Sequence, residues 1–275
     1  MKSLKDGEWL LDTNKELGSG NFAKVFMGYN ASSKQQVAIK QISNNKVAQY
    51  GEKLETAIQR EIDILKAVSR YENPYLLKIL DSFETSNNRY LVLEFCNNGT
   101  LQDVLNTRKR IPEEEAIKIA YQIVLGLSAM NDLQIVHRDM KPDNIFIHND
   151  TYKIGDFGFA NQASKFVTQL GTCIYMGPEF YIGTGNMDSG VDIWAFGVIL
   201  HQMLFGEFAF NGTDQRMVIN KVINQEYRTP KYPEIRSETK DLLQKCLIKN
   251  PEERIKMENL RNHRVTLNQL NIIGF

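Results

Sequence analysis

The stretch His137-Arg138-Asp139-Met140-Lys141-Pro142-Asp143-Asn144 carries an aspartate, a lysine and an asparagine on one short loop, after the strand-like pair Ile135-Val136. Further along, Asp156-Phe157-Gly158 closes another short strand-like run. Aspartate and asparagine side-chain oxygens are hard ligands that suit Mg²⁺. Each motif alone is weak evidence, but the two in this order, each after a short strand, predict a site of Mg²⁺-dependent chemistry.

A glycine-rich string, Gly18-Ser19-Gly20-Asn21-Phe22-Ala23, lies far upstream between two strand-like runs. Because glycine has no Cβ, such a loop lets backbone amides approach a phosphate closely. A dinucleotide-binding fingerprint would need a helix after the glycines. Another strand follows here, and there is no βαβ alternation, so a nicotinamide-type oxidoreductase is excluded. A flap over phosphates and an ordinary tight hairpin both stay open.

A buried ion pair is predicted between Lys40 and Glu61. Glu61 falls inside the apolar stripe of a predicted helix at 52–69, and Lys40 ends the strand-like Val37-Ala38-Ile39-Lys40. A carboxylate buried in such a stripe needs a cationic partner, because an unpaired buried charge is expensive. The alternative is an exposed helix glutamate.

Composition limits the class of protein. The chain has 275 residues, with 33 basic and 33 acidic side chains and 42% hydrophobic residues, which is ordinary globular usage. A balanced charge gives no general attraction for nucleic acid, so we expect no such partner. Three scattered cysteines indicate reduced thiols and a cytoplasmic protein. No apolar run reaches the roughly 20 residues that span a bilayer, so we expect no membrane span. The N-terminal MKSLKDGEWL has no apolar h-region, so we expect no signal peptide.

The order of elements predicts an α+β fold with two lobes. Strand-like runs dominate to about residue 96: 15–17, 23–29, 37–42, 75–80 and 89–96. Beyond that point the pattern is mostly helical, with Pro112 opening a long helix and a small hairpin at 145–155. We therefore expect one domain over 1–275, with a small antiparallel-sheet lobe at 1–96, a larger helical lobe at 97–275 and a cleft between them.

The ordered set of motifs resembles the eukaryotic protein kinase family, serine/threonine type. The likeness runs from about Leu10 to about Leu267 and includes Met176-Gly177-Pro178-Glu179, Asp192 and Arg254. It departs from the family pattern where Ala23 replaces a third glycine and where Gly177 replaces the alanine of A-P-E. A weaker resemblance is to the autophagy-initiating serine/threonine kinases, through Asp156-Phe157-Gly158-Phe159-Ala160 and the strings LETAIQREIDILK and YLVLEFCNNGTL.

The resemblance implies Mg-ATP as phosphoryl donor and gives each motif a role. Asp139 would accept the substrate proton, Lys141 would neutralise the moving phosphoryl group, and Lys40, paired with Glu61, would contact phosphate. Asn144 and Asp156 would hold Mg²⁺. The remaining nucleotide contacts would come from the glycines of the flap and from residues around adenine, namely Gly18, Gly20, Val25, Ala38, Leu93, Glu94, Cys96 and Phe146.

The resemblance also implies a protein substrate and regulation on the activation segment. Arg138 would bind a phosphate on Thr168, added by an upstream activating kinase, and Thr172 belongs to the same segment. Phe159 favours serine over threonine, while neutral Thr100 and Gln202 indicate no preference for basic residues. Two alternatives remain. The first is a pseudokinase scaffold that binds nucleotide or partners without catalysis. The second is a small-molecule kinase of related fold, but the segment GTCIYMGPE argues against it because it resembles the platform that receives a peptide.

Overall fold

The computed structural model describes residues 1–20, 22–158, 173–183 and 187–267. Its first part is a six-stranded antiparallel sheet in the order β1-β2-β3-β4-β6-β5. The strands are β1 (Lys2–Leu4), β2 (Trp9–Ser19), β3 (Ala23–Asn30), β4 (Gln36–Ser43), β5 (Ile79–Glu84) and β6 (Asn88–Glu94). Two helices, α1 (Asn44–Tyr50) and α2 (Glu52–Arg70), lie between β4 and β5 in the chain.

The second part is mainly helical, as the sequence predicts. After α3 (Leu101–Arg108) and the long α4 (Glu113–Asp132) comes a hairpin of β7 (Ile145–His148) and β8 (Thr151–Ile154). The helices that follow are α5 (Glu179–Ile182), α6 (Gly190–Phe205), α7 (Gln215–Asn224), α8 (Ser237–Cys246) and α9 (Met257–Arg261). The bilobal α+β expectation is thus confirmed.

The sheet differs from the sequence-based expectation at two places. Strand β2 begins at Trp9 rather than Lys15, because Leu4 and Trp9 are buried with Phe26 and Tyr90 in a small core of their own. The apolar run at 75–80 is mostly not a strand of this sheet: the Leu77 amide donates to the carbonyl of Ile154 on β8. That run therefore ties the first lobe to the hairpin.

Helix α6 is the centre of the helical lobe. Its residues are buried almost without exception, from Gly190 to Leu204. A helix that is apolar all round has no solvent face and must be surrounded by other elements. Here α4 and α8 both pack against it, so the position of α6 in the lobe is fixed. Segments that make hydrogen bonds to its N-terminal end are fixed with it.

A buried ion pair closes this lobe. The guanidinium of Arg254 donates to Glu179 on α5 at 2.6 and 3.0 Å, and to the Gly190 carbonyl at the start of α6 at 2.7 Å. Neither side chain is more than 1% exposed. Because the partner of a buried charge becomes an uncompensated ion when the pair is broken, this contact is essential once it has formed.

We predict that Arg254→Met lowers the free energy of unfolding by about 3–5 kcal/mol, since it strands the Glu179 carboxylate in the interior. Urea denaturation followed by circular dichroism measures this. Lys256→Met is the control: it breaks an exposed pair with Glu252 and should cost under about 1 kcal/mol. Equal effects of the two substitutions would contradict the structural role of the buried pair.

Candidate active site

The flap between β2 and β3 carries Gly18 and Gly20. A Cβ added at either glycine would meet nothing within 4 Å, so the two glycines border open space rather than a packed neighbour. The Gly20 amide donates to the Ala23 carbonyl at 2.9 Å, which closes the turn. This open space is compatible with a flap over phosphates, but an ordinary tight hairpin would show it too.

Lys40 and Glu61 meet as predicted. Strand β4 supplies Lys40 and helix α2 supplies Glu61, with Nζ and Oε1 2.5 Å apart. Lys40 also lies 3.9 Å from Oδ1 of Asp156. Burial by itself would lower the pKa of Lys40, but the two carboxylates outweigh it and raise the pKa above its usual value. The lysine is therefore a fixed positive charge in the cleft.

The loop at 137–144 brings three predicted residues into contact. The Asp139 Oδ2 atom accepts hydrogen bonds from Lys141 Nζ at 2.8 Å and from Asn144 Nδ2 at 3.0 Å. Asn144 also donates to the Asp139 carbonyl at 2.8 Å. These bonds use the nitrogen end of the Asn144 amide and leave the oxygen end, the atom that ligates metals, outside them.

Helix α6 fixes the position of the loop at 137–144. The Asp192 carboxylate, near the helix start, accepts the backbone N–H groups of His137 at 2.7 Å and Arg138 at 2.9 Å. The His137 ring lies 3.0 Å from the Gly155 carbonyl and 5.4 Å, centroid to centroid, from the Phe157 ring. One buried carboxylate and one imidazole thus fix the loop relative to the segment that carries Asp156.

Asp156 follows β8 closely and has an unusual backbone conformation. Its φ is +61°, a region that few residues other than glycine adopt and that is found at functional sites. Burial would raise the pKa of Asp156, but the ammonium group of Lys40, the His137 ring and the ammonium group of Lys141 together lower it below the ordinary value. The carboxylate is therefore ionised, as a metal ligand must be.

The donor set fits Mg²⁺. Asn144 and Asp156 offer one amide and one carboxylate oxygen, and Mg²⁺ is commonly bound by one or two protein ligands plus substrate phosphates and water. Within residues 1–20, 22–158, 173–183 and 187–267, no group of three His, Cys, Asp or Glu side chains surrounds a metal position. In a site of the common kind, phosphate oxygens and water would complete the coordination around Asn144 and Asp156.

The residues predicted around adenine lie on or next to strands β3, β4, β6 and β7. Ala38 pairs with Leu93 across β4 and β6, and Val25 pairs with Lys40 across β3 and β4. Phe146 is half-buried on β7. Cys96 follows β6, and burial together with Glu94 raises the pKa of its thiol to about 12. The pairings place Ala38 next to Leu93, and Val25 next to Lys40 of the charged cluster.

The predicted regulatory residues are described only in part. Thr168, Thr172 and Phe159 lie outside the described residues. Arg138 has a φ of +66° and donates from Nη2 to the Met187 carbonyl at 3.1 Å. Its Nε and Nη1 atoms are buried and have no hydrogen-bond partner among the described residues, and burial lowers the pKa of its guanidinium. The Nε and Nη1 groups are hydrogen-bond donors that an anion would satisfy.

Sequence patterning missed one buried charge beside the cleft. Lys153 on β8 is 7% exposed and pairs with Glu94 at 3.1 Å. A single lysine in a four-residue strand gives a weak signal, because exposed lysines are common in hairpins. Its position opposite Phe146 in the predicted hairpin was the available clue.

No helix in the part of the chain that the structure describes is long and apolar enough to cross a membrane.

Comparison with known proteins agrees with this geometry. The family model described as "Protein kinase domain" matches residues 11–266. Serine/threonine-protein kinase GIN4 of Saccharomyces cerevisiae is 35% identical over 95% of this chain and 24% of its own length. Serine/threonine-protein kinase atg1 of Dictyostelium discoideum is 32% identical over 94% of this chain and 39% of its own. Human NUAK family SNF1-like kinase 1 is 32% identical, over 92% and 38%.

The chain spans about a quarter to two fifths of the length of these curated relatives. The likeness to an autophagy kinase is real, but GIN4 and the NUAK kinase are as similar, so it does not single out one group. The shared region is the one that contains the flap, the ion pair, the loop and Asp156. The chain therefore belongs to the protein kinase domain family, among relatives of the serine/threonine type.

Proposed function

We propose that this chain is an active Mg-ATP-dependent protein serine/threonine kinase. Its reaction moves the γ-phosphoryl group of ATP to a protein hydroxyl, with serine as the preferred acceptor. The observation that carries this proposal is the convergence of Lys40, Asp139, Asn144 and Asp156 on one cleft. Phosphoryl transfer needs mainly alignment and charge stabilisation, and these four side chains supply both.

The geometry gives each side chain a task. Lys40, held by Glu61 at 2.5 Å, would orient the α- and β-phosphates. Asp139 would take the proton of the attacking hydroxyl as the new P–O bond forms and the bond to the β-phosphate oxygen breaks. Lys141, 2.8 Å from Asp139, would neutralise charge on the transferred group. Mg²⁺, held by Asn144 and Asp156, would supply charge neutralisation on the phosphates.

The pseudokinase alternative gains no support from these contacts. A scaffold that only binds nucleotide has no need for an aspartate that accepts hydrogen bonds from a lysine at 2.8 Å and an asparagine at 3.0 Å. It also has no need for a second, independent support of that loop by Asp192. The alternative is therefore kept only as an outcome of the test below.

We predict that the chain transfers phosphate from Mg-ATP to serine and threonine in a mixed peptide library, and that Asp156→Ala abolishes transfer. Loss of a metal-ligating carboxylate removes charge stabilisation from the transition state. Asp150→Ala, an exposed aspartate in the β7–β8 turn, is the matched control and should keep full activity. Retained ATP binding without any transfer, even after treatment with an activating kinase, would favour the scaffold.

We also propose a preference for serine without basic residues nearby in the substrate. The amide oxygen of Gln202 accepts the Tyr175 hydroxyl at 2.7 Å, and the side chain is 8% exposed, so it offers no charge to an incoming arginine. A positional peptide library is expected to select serine over threonine and no arginine upstream. Dominance of arginine at the upstream positions would contradict this preference.

Regulation is proposed to act through Arg138. Two of its buried N–H groups lack partners among the described residues, and a phosphothreonine carries nearly two negative charges that would satisfy them. We name Thr168 as the acceptor and an upstream kinase as its source.

We predict that Thr168→Ala lowers activity several-fold, because it removes the phosphate whose charge-assisted hydrogen bonds to Arg138 would order the loop. Phosphatase treatment should do the same to the unmodified chain. The neighbouring Ser164→Ala is the control for loss of a hydroxyl. In an Arg138→Met background the Thr168 substitution should have no additional effect. Unchanged activity after complete dephosphorylation would remove this regulation.

None of the three cysteines, which all lie among the described residues, forms a disulfide, and this fits the cytoplasmic location that we propose.

A further inference from the structure

Glu94 and Cys96 are the residues at the end of β6 that we expect to bind adenine. Glu94 makes three hydrogen bonds within the protein that are separate from this expected contact with adenine. Its backbone N–H donates to the Lys78 carbonyl at 3.0 Å. Its Oε1 accepts the Lys78 N–H at 2.8 Å and the Lys153 ammonium at 3.1 Å. The Lys153 side chain is 9% exposed and that of Glu94 is 20% exposed. Such shielding keeps the ion pair from being weakened by solvent.

Lys153 belongs to the floor of the cleft. In the β7–β8 hairpin it lies directly opposite Phe146, and residues directly opposite in an antiparallel pair point to the same face. Phe146 is the residue expected to pack against the adenine ring. The Lys153–Glu94 ion pair therefore joins the floor of the nucleotide pocket to its hydrogen-bonding edge.

The segment at 75–78 completes this junction. Leu77 donates to the Ile154 carbonyl at 2.8 Å, and Ile154 donates to the Tyr75 carbonyl at 2.9 Å. The same short segment thus holds Glu94 through Lys78 and holds the end of β8 just before Asp156. A Cβ at Gly155 would lie 2.8 Å from Leu77 Cδ2, so this packing leaves little slack.

We propose that Lys153 is a positioning residue for adenine recognition: through Glu94 it fixes the hydrogen-bonding edge of the pocket relative to its floor. The lysine does not touch the nucleotide. A site that is already ordered before binding loses less entropy when the ligand arrives, and so binds it more tightly. This inference rests on the proposed function, because it assumes that adenine occupies the pocket.

Adenosine and inorganic triphosphate separate this role from a general structural one. Adenosine has the base but no phosphates, and triphosphate has the reverse. Calorimetric titration with adenosine, Mg-ADP and Mg-triphosphate is expected to show that Lys153→Met weakens the first two by the same factor, about tenfold, as expected for breaking a shielded pair. Triphosphate binding should stay unchanged.

Three further variants sharpen the test. Lys153→Arg keeps the charge and should keep adenosine affinity within about twofold of the original. The double variant Lys153→Met/Glu94→Gln should be no weaker than Lys153→Met alone, since both act through one contact. Lys118→Met, which breaks an exposed pair with Glu114, is the matched control and should bind all three probes normally. Circular dichroism confirms that each variant is folded.

The outcomes are distinct. If the unmodified chain binds neither adenosine nor Mg-ADP, the proposed function fails and this inference fails with it. If the chain binds both and Lys153→Met binds them equally well, the inference alone is overturned. If Lys153→Met weakens triphosphate binding as much as adenosine binding, Lys153 contributes to overall stability and the inference is overturned. A rise in turnover without loss of adenosine affinity also overturns it, because the pair would then be a restraint on lobe movement.

Discussion

The Asp192 carboxylate is the contact on which the rest of the site depends. It is buried at the start of α6, and a buried charge must be satisfied by hydrogen bonds. The backbone N–H groups of His137 and Arg138 supply them, and Arg138 adopts a left-handed conformation in doing so. The direction in which the chain leaves this turn sets where Asp139 and Asn144 lie. The positions of Asp139 and Asn144, to which we assign roles in catalysis, therefore depend on a buried carboxylate that we assign no contact with substrate.

A second buried charge ties the segment before α5 to the same helix. Arg254 joins Glu179 to the first carbonyl of α6, so the segment ending in Gly177-Pro178-Glu179 is anchored two residues from Asp192 in the chain. This also bears on the glycine that replaces the usual alanine. A Cβ at position 177 would lie 2.6 Å from Glu179 Oε2. In this chain glycine leaves room for the arrangement of the carboxylate that Arg254 requires.

Sequence reasoning reached the parts of the site that depend on local order. The pairing of Lys40 with Glu61 followed from one carboxylate inside an apolar helical stripe, and the small hairpin followed from two short strands and a turn. The early start of β2 was missed, because burial of Trp9 depends on strands that are distant in sequence. Lys153 was missed for the same reason: its partner Glu94 is brought near only by the junction of the two lobes.

The cysteine at the adenine edge has a chemical consequence. Burial and the nearby Glu94 carboxylate raise the pKa of the Cys96 thiol to about 12. Since the thiolate is the reactive species, oxidants and alkylating agents meet a protonated and poorly nucleophilic sulfur there. Cys96 is therefore expected to react more slowly with such reagents than an ordinary exposed thiol. In the nucleotide site that we propose, a ligand would accordingly gain little from a covalent bond to this sulfur.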